Sequence, residues 1–147
     1  MACANNQLIE LDLSRNISLN WLNCEGNQLT ALDVSRNRAL TDLFCNDNRL
    51  IALDLSQNRA LTGVDCRQNQ LTTLDLSRNI ALKYLRCGAN QFTADALNAL
   101  FSTLHSNNFE KILTISDNPG SADCDPTIAE QKGWEVLADT QAFRTIK

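Results

Sequence analysis

Apolar positions in this chain follow a compound rhythm. A run of Leu-x-x-Leu-x-Cys gives way to a polar bend, then to Leu-x-x-Leu-x-Leu or Val, and the pair begins again. One full unit reads CEGNQLTALDVSRNRALTDLF, and Cys3, Cys24, Cys45, Cys66 and Cys87 mark steps of 21 residues. Asn6, Asn27, Asn48, Asn69 and Asn90 keep the same step, as do Asn16, Asn37, Asn58 and Asn79. A fixed period of this length is the signature of a solenoid, in which each unit buries its apolar face against its neighbours. The segment Leu22-Asn23-Cys24 alternates in and out with the period of a strand. Both halves of the unit have spacing that suits a strand. The LDLS half is nearly constant between copies, and its Asp and Ser fit repeated local turn chemistry. The half around Cys varies at its outward positions, so the strands of the concave face are assigned there.

The rhythm changes after Cys87. Thr93 opens TADALNALFSTLHS, where Leu97, Leu100, Phe101 and Leu104 form a helical apolar stripe. Thr93 is the expected N-cap, with Asp95 in the first turn. The segment ILTISDNPG then restores the strand pattern, with Ile115 in the Cys position and Asn118 in the Asn position, 28 residues after their predecessors. Asp125-Pro126 predicts a short helix with Asp as cap and Pro at the first position; Gly133 closes it, and Trp134 to Leu137 reads as a last strand or extended segment.

The residues Leu19-x-x-Leu22-x-Cys24-x-x-Asn27-x-Leu29 resemble the leucine-rich repeat, LxxLxLxxNxL, with Cys for the third Leu. Leu40 to Leu50, Leu61 to Leu71 (Val64 for one Leu) and Leu82 to Phe92 resemble it in turn. The fold class expected is therefore α/β, a leucine-rich-repeat solenoid. It would have a curved parallel sheet on the concave face, tight turns and short extended segments on the convex face, and a helix-containing C-terminal cap. Residues 1–92 form about four and a half repeats and residues 93–147 the final helix-containing repeat and cap, in one continuous domain. Stacked strands lie about 4.8 Å apart, so inward Leu and Cys form ladders. The Asn after each strand turns inward to satisfy backbone groups at the bend and shares those bonds from coil to coil. The tail, with ALNALFSTLHS, ITISDNPG, CD, IAE, KGW and V, resembles the terminal region of surface or secreted leucine-rich-repeat proteins of Bacteroidetes-type bacteria. That resemblance implies an extracellular or cell-surface location and binding directed at a host or surface partner.

Composition narrows the function. The net charge of −4 and the lack of any basic run weigh against nucleic acid. No apolar stretch approaches the roughly 20 residues of a spanning helix, so membrane insertion is not expected. The opening MACANNQ has neither a basic nor an apolar signal region and falls in mid-repeat. Met1 and Ala2 are accordingly read as foreign residues on a fragment whose upstream cap and targeting signal were cut away.

Six cysteines in a possible export domain invite a disulfide framework. The five repeat cysteines, however, occupy inward positions of parallel strands, where the thiol acts as a small hydrophobe, and a reduced buried ladder is expected. Cys124 stands apart in the cap. There is no CxxC and a single histidine, His105, so no metal site or cofactor is assigned. The constant Asp12, Asp33, Asp54 and Asp75 would repel one another at the coil spacing. Calcium, turn N–H donors or the series Arg15, Arg36, Gln57 and Arg78 would each relieve this; no GGxGxD motif accompanies the carboxylates. His105, beside Ser102 and Ser106 with no oxyanion signal, reads as a surface residue, and no catalytic residue or enzyme activity is expected.

The outward positions of the strands remain. They are Trp21, Asn23 and Glu25, then Asp42, Phe44 and Asn46, then Gly63, Asp65 and Arg67, then Tyr84, Arg86 and Gly88. Trp21, Phe44 and Tyr84 put aromatics on a face expected to be wet, and Trp, Tyr and Arg anchor many interfaces. Glu25, Asp42 and Asp65 lie toward the N-terminal coils, Arg67 and Arg86 toward the C-terminal ones, a polarity that would orient a partner. Protein or peptide binding on this face is the leading expectation. Glycan binding and a structural spacer within a larger surface protein are the alternatives.

Overall fold

A computed structural model describes residues 1–137. The order of elements is β1 (Trp21–Asn23), β2 (Asp42–Phe44), β3 (Gly63–Asp65), β4 (Tyr84–Arg86), α1 (Ala94–Thr103), β5 (Lys111–Thr114), α2 (Thr127–Glu130) and β6 (Trp134–Leu137). The six strands form one sheet in sequence order, every neighbouring pair parallel. Leu22 pairs with Leu43, Leu43 with Val64 and Val64 with Leu85, so each coil sits one repeat behind the next. Parallel pairing continues beyond the short strands: Cys24 N donates to Phe44 O and Cys45 N to Asp65 O, both at 2.9 Å.

The core is a stack of identical layers. Leu22, Leu43 and Leu85, with Val64, lie beneath the sheet beside Cys24, Cys45, Cys66 and Cys87, all buried. The return leg contributes Leu13, Val34, Leu55 and Leu76. It is built of turns rather than a second sheet, with Asn37 N donating to Val34 O and Leu40 N to Asn37 O. Asn37, Asn58 and Asn79 close this side by donating Nδ2 to carbonyls of the previous coil, Asn58 for instance to Val34 O at 2.9 Å and Asn37 O at 3.0 Å.

The strand side is closed by the other Asn series. Asn48 Nδ2 lies 3.0 Å from Cys24 O, 3.1 Å from Cys45 O and 3.2 Å from Asn46 O, while its Oδ1 accepts from Leu29 N at 3.0 Å. Asn27, Asn69, Asn90 and Asn118 bond carbonyls of their own coil and the one before. Buried backbone groups left unpaired at each bend would cost about 1–3 kcal/mol apiece, so one amide per coil removes a recurring penalty. The bend also needs a left-handed residue. Asn5, Gly26, Asp47, Gln68, Ala89 and Asp117 all have φ between 51° and 65°. Gly26 meets this without a Cβ penalty, and a Cβ there would come within 2.4 Å of Asn5 Oδ1.

The terminal coil follows the expected helix. Thr93 Oγ1 accepts from Ala96 N at 3.2 Å, and Leu97, Leu100 and Phe101 face the core. Thr103 Oγ1 in turn accepts from Leu76 N at 3.1 Å, which ties the helix to the preceding return leg. Asp125 Oδ1 accepts from Thr127 N and Thr127 Oγ1 just ahead of α2, but the helix is shorter than expected: Pro126 is its N-cap, Gln131 its C-cap, and Gly133, with φ of 81°, lies beyond it. Residues 138–147 of the expected cap lie outside the described residues.

Two expectations are corrected here. Cys3 is only half-buried and Asn6 is exposed, because no coil covers their outer side among the described residues. His105 is no surface residue: it is half-buried, its Nε2 is 2.8 Å from Leu82 O, and its ring lies 5.3 Å from Phe109 and 5.5 Å from Trp134.

Candidate functional site: the outward face of the sheet

Residues that alternate with the buried Leu and Cys project from the other face of the sheet, and pairing stacks them into columns. Trp21, Asp42, Gly63, Tyr84 and Ile112 stand in register, as do Asn23, Phe44, Asp65, Arg86 and Thr114. Glu25, Asn46, Arg67 and Gly88 continue the repeat beyond the strands. The structure thus brings the sequence-predicted positions onto one surface.

Their environments differ sharply. Trp21 and Tyr84 are 37% and 43% exposed, so two large rings face solvent. Phe44 is half-buried, with its ring 6.2 Å from that of Trp21. Asn23, Glu25, Asp42, Arg67 and Arg86 are half-buried as well. Asn46 and Asp65, expected to be wet, are only 5% and 4% exposed. Asn46 donates Nδ2 to Asp47 Oδ2 at 2.9 Å. Asp65 is held by Arg67, whose Nε and Nη2 donate to its two oxygens at 2.9 and 2.7 Å, and by Arg86 Nη1 at 3.6 Å. A buried carboxylate persists because guanidinium groups pair with it on two sides. The Arg67 pKa rises in consequence, chiefly through its hydrogen bonds to Asp65.

This arrangement refines the polarity expected from sequence. Asp65 is neutralised within the face by Arg67 and Arg86, whose two charges leave an excess of one positive there, with Glu25 and Asp42 as the acidic portion toward the N-terminal coils. Asn23 Oδ1 accepts from Glu25 N at 3.0 Å and so shapes the backbone at the strand end.

Gly63 opens a gap in its column between Asp42 and Tyr84. The hollow there has a volume of about 310 Å³ and is bounded by Asp42, Phe44, Gly63, Asp65, Tyr84 and Arg86. The signal in the sequence was the glycine itself, since Gly within a strand often marks a close approach by a ligand or another backbone.

The inward chemistry is inert. The described cysteines are free thiols, and Cys24, Cys66 and Cys87 point Sγ at carbonyls of the next coil at 3.4–3.5 Å. Burial pushes the Cys24 and Cys87 thiols up to about 12 and those of Cys45 and Cys66 well above their ordinary value, so thiolate nucleophiles are not at hand. On the opposite side Asp12, Asp33, Asp54 and Asp75 each accept from the backbone N–H of Ser14, Ser35, Ser56 or Ser77 at 2.8–2.9 Å. These Ser contacts hold the carboxyls below their usual range, and Arg36 and Arg78 add smaller contributions to two of them. Among the described residues no group of three or more His, Cys, Asp and Glu could hold a metal, and no helix is long and apolar enough to cross a membrane.

The single parallel sheet, the inward Leu, Cys and Asn positions and the turn-built return leg define a leucine-rich-repeat solenoid. Solved structures of bacterial leucine-rich-repeat proteins share the architecture. The functional domain of InlJ from Listeria monocytogenes, which includes a cysteine ladder, is 30% identical with a TM-score of 0.69 over 89% of this chain. A leucine-rich-repeat protein of Leptospira interrogans is 24% identical with a TM-score of 0.70 over 90% of it. The internalin InlF of Listeria monocytogenes, at 17% identity and a TM-score of 0.57 over 80%, shares the fold. This chain spans 28%, 35% and 41% of those three proteins. No protein-family model matches it, and no curated protein matches it by sequence.

Proposed function

We propose that this solenoid is a non-catalytic binding module that recognises a protein or peptide on its concave sheet, at or outside a bacterial cell surface. The observation that carries this reading is the grouping of Trp21, Phe44 and Tyr84 in the outward columns of one rigid sheet, two of them open to solvent. Solenoids of this type offer an extended concave surface, and aromatic side chains fixed on strands lose little conformational freedom on binding. The surface location rests on the resemblance of the repeats and the tail to surface or secreted leucine-rich-repeat proteins.

The test is a display selection of random 12-residue peptides on the immobilised chain, followed by titration against a Trp21→Ala/Tyr84→Ala double variant. Loss of two anchors together worth about 2 kcal/mol or more predicts at least about a thirtyfold weaker Kd. The melting temperature should stay within about 2 °C, since neither side chain fills the core. Binders that hold the double variant as tightly as the parent chain would sink this reading. A glycan is the second reading, favoured by the exposure of the Trp21 and Tyr84 rings on which a sugar could stack. A blank glycan array beside a positive peptide selection removes it.

A further inference from the structure

The hollow above Gly63 has a chemical bias. Asp42 is half-buried at its edge, and Thr41 Oγ1 donates to its Oδ2 at 2.8 Å. The other oxygen, Oδ1, faces the gap, for a Cβ added at Gly63 would lie 3.0 Å from it. No hydrogen bond to Oδ1 is made among the described residues. The Phe44 and Tyr84 side chains flank the same space, Val64 lies at its floor, and its lining is mostly apolar. Asp65 is already held by Arg67 and Arg86, whose two positive charges exceed its own by one, so the carboxylate of the lining left to meet a ligand is that of Asp42. A carboxylate oxygen with spare acceptor capacity therefore stands at one edge of an aromatic-flanked recess as deep as the missing side chain.

We propose that this recess is a specificity subsite for a basic side chain, lysine or arginine, of the bound peptide. The inference rests on the peptide-binding reading and adds to it the identity of one recognised residue. The cationic head donates to Asp42 Oδ1, while the methylene stem lies over Gly63 between Phe44 and Tyr84. Long basic side chains bury their stems along apolar surface in this way while the head keeps a polar partner. Aromatic flanks add attraction for a cation. A neutral polar head would gain the hydrogen bond but not the charge, and an acidic one would be repelled by Asp42. Gly63 is what makes the space: its φ is not left-handed, so the backbone there places no demand for glycine.

The experiment uses peptides obtained by the selection on the parent chain. Each is resynthesised with its lysines replaced by norleucine, which keeps the stem and removes the charged head, or its arginines replaced by citrulline, which keeps the length and removes the charge. A basic residue at a fixed position in the selected peptides, with at least tenfold weaker binding on neutralisation, is the expected result. Asp42→Asn should abolish that tenfold preference and leave binding of the neutralised peptide unchanged. Gly63→Val should weaken the basic peptide to a similar degree with no loss of melting temperature, since valine suits a strand. Two outcomes overturn the subsite while leaving peptide binding intact: selected peptides without a recurrent basic residue, or charge discrimination that survives in Asp42→Asn. A selection that yields no binder, or binders indifferent to the Trp21→Ala/Tyr84→Ala change, overturns the peptide-binding reading and the subsite with it.

Discussion

The coil of Cys3 and the coil of Cys45 carry the same motif and live in different surroundings. Cys3-x-x-Asn6-x-Leu8 and Cys45-x-x-Asn48-x-Leu50 match at every defining position. Yet Cys45 and Leu50 are fully buried and Asn48 nearly so, while Cys3 and Leu8 are half-buried and Asn6 is exposed. Asn48 reaches carbonyls of two coils and accepts from a third segment, Leu29 N. Asn6 donates only to Cys3 O and Ala4 O of its own bend. The return leg repeats the contrast, with Asn16 exposed where Asn37, Asn58 and Asn79 are buried. A repeat motif therefore specifies the path of a coil, but its burial and much of its hydrogen bonding come from the coil stacked before it.

That contrast can be pressed from several directions. The largest effect belongs to Asn48→Ala, which strips partners from buried carbonyls and from Leu29 N in an apolar layer. About 3–5 kcal/mol of stability should be lost in urea titration, whereas Asn6→Ala should cost below about 0.5 kcal/mol. Equal losses in the two coils would show that stacking does not set the worth of the motif.

The C-terminal end offers a second comparison, because there the neighbouring coil is helical and its closure is made by a cation. Lys111 is buried beside Trp134 and Phe109, and its Nζ donates to Asn107 O and, at 2.8 Å, to Lys132 O. Burial lowers its pKa. Lys111→Met keeps the stem and removes both bonds, so thermal unfolding should register a loss of about 1–3 kcal/mol. An unaltered melting curve would mean that these carbonyls are satisfied without the ammonium group.

The smallest effect is expected on the constant turn. Asp54 is exposed, and its folded pKa is lowered mainly by Ser56. A carboxyl depressed on folding stabilises the fold above its unfolded pKa, about 3.9, and loses that contribution as pH falls through the lower folded value. Asp54→Asn should cost no more than a few tenths of a kcal/mol at pH 7, because an amide still accepts from Ser56 N and solvent screens the charge. Its stability should fall less than that of the parent chain between about pH 5 and pH 2. A steeper acid loss in the variant would contradict the assigned turn chemistry.

The same contrast explains which features were legible in one dimension. The period of Cys, Asn and Leu determined the solenoid and the columns that share a face, and the contrast between a constant LDLS half and a variable Cys half picked out the side of each unit that becomes strand. These follow from backbone geometry, since a strand alternates its side chains and a stacked repeat copies that alternation from coil to coil. The Thr93 cap and the Asp125-Pro126 helix start were readable for the same local reason. Tertiary structure alone decided how wet each position is. Asp65 and Arg86 lie in different repeats, so their pairing, which helps take Asp65 out of water, depends on which side chains meet across the sheet. The partners of Lys111 and the packing of His105 against Trp134 likewise join residues far apart in sequence. The outward aromatics of the opening repeats could be named from sequence, but the recess among them could not. It exists because stacking puts the hydrogen of Gly63 between Asp42 and Tyr84, and only the folded chain brings those three residues side by side.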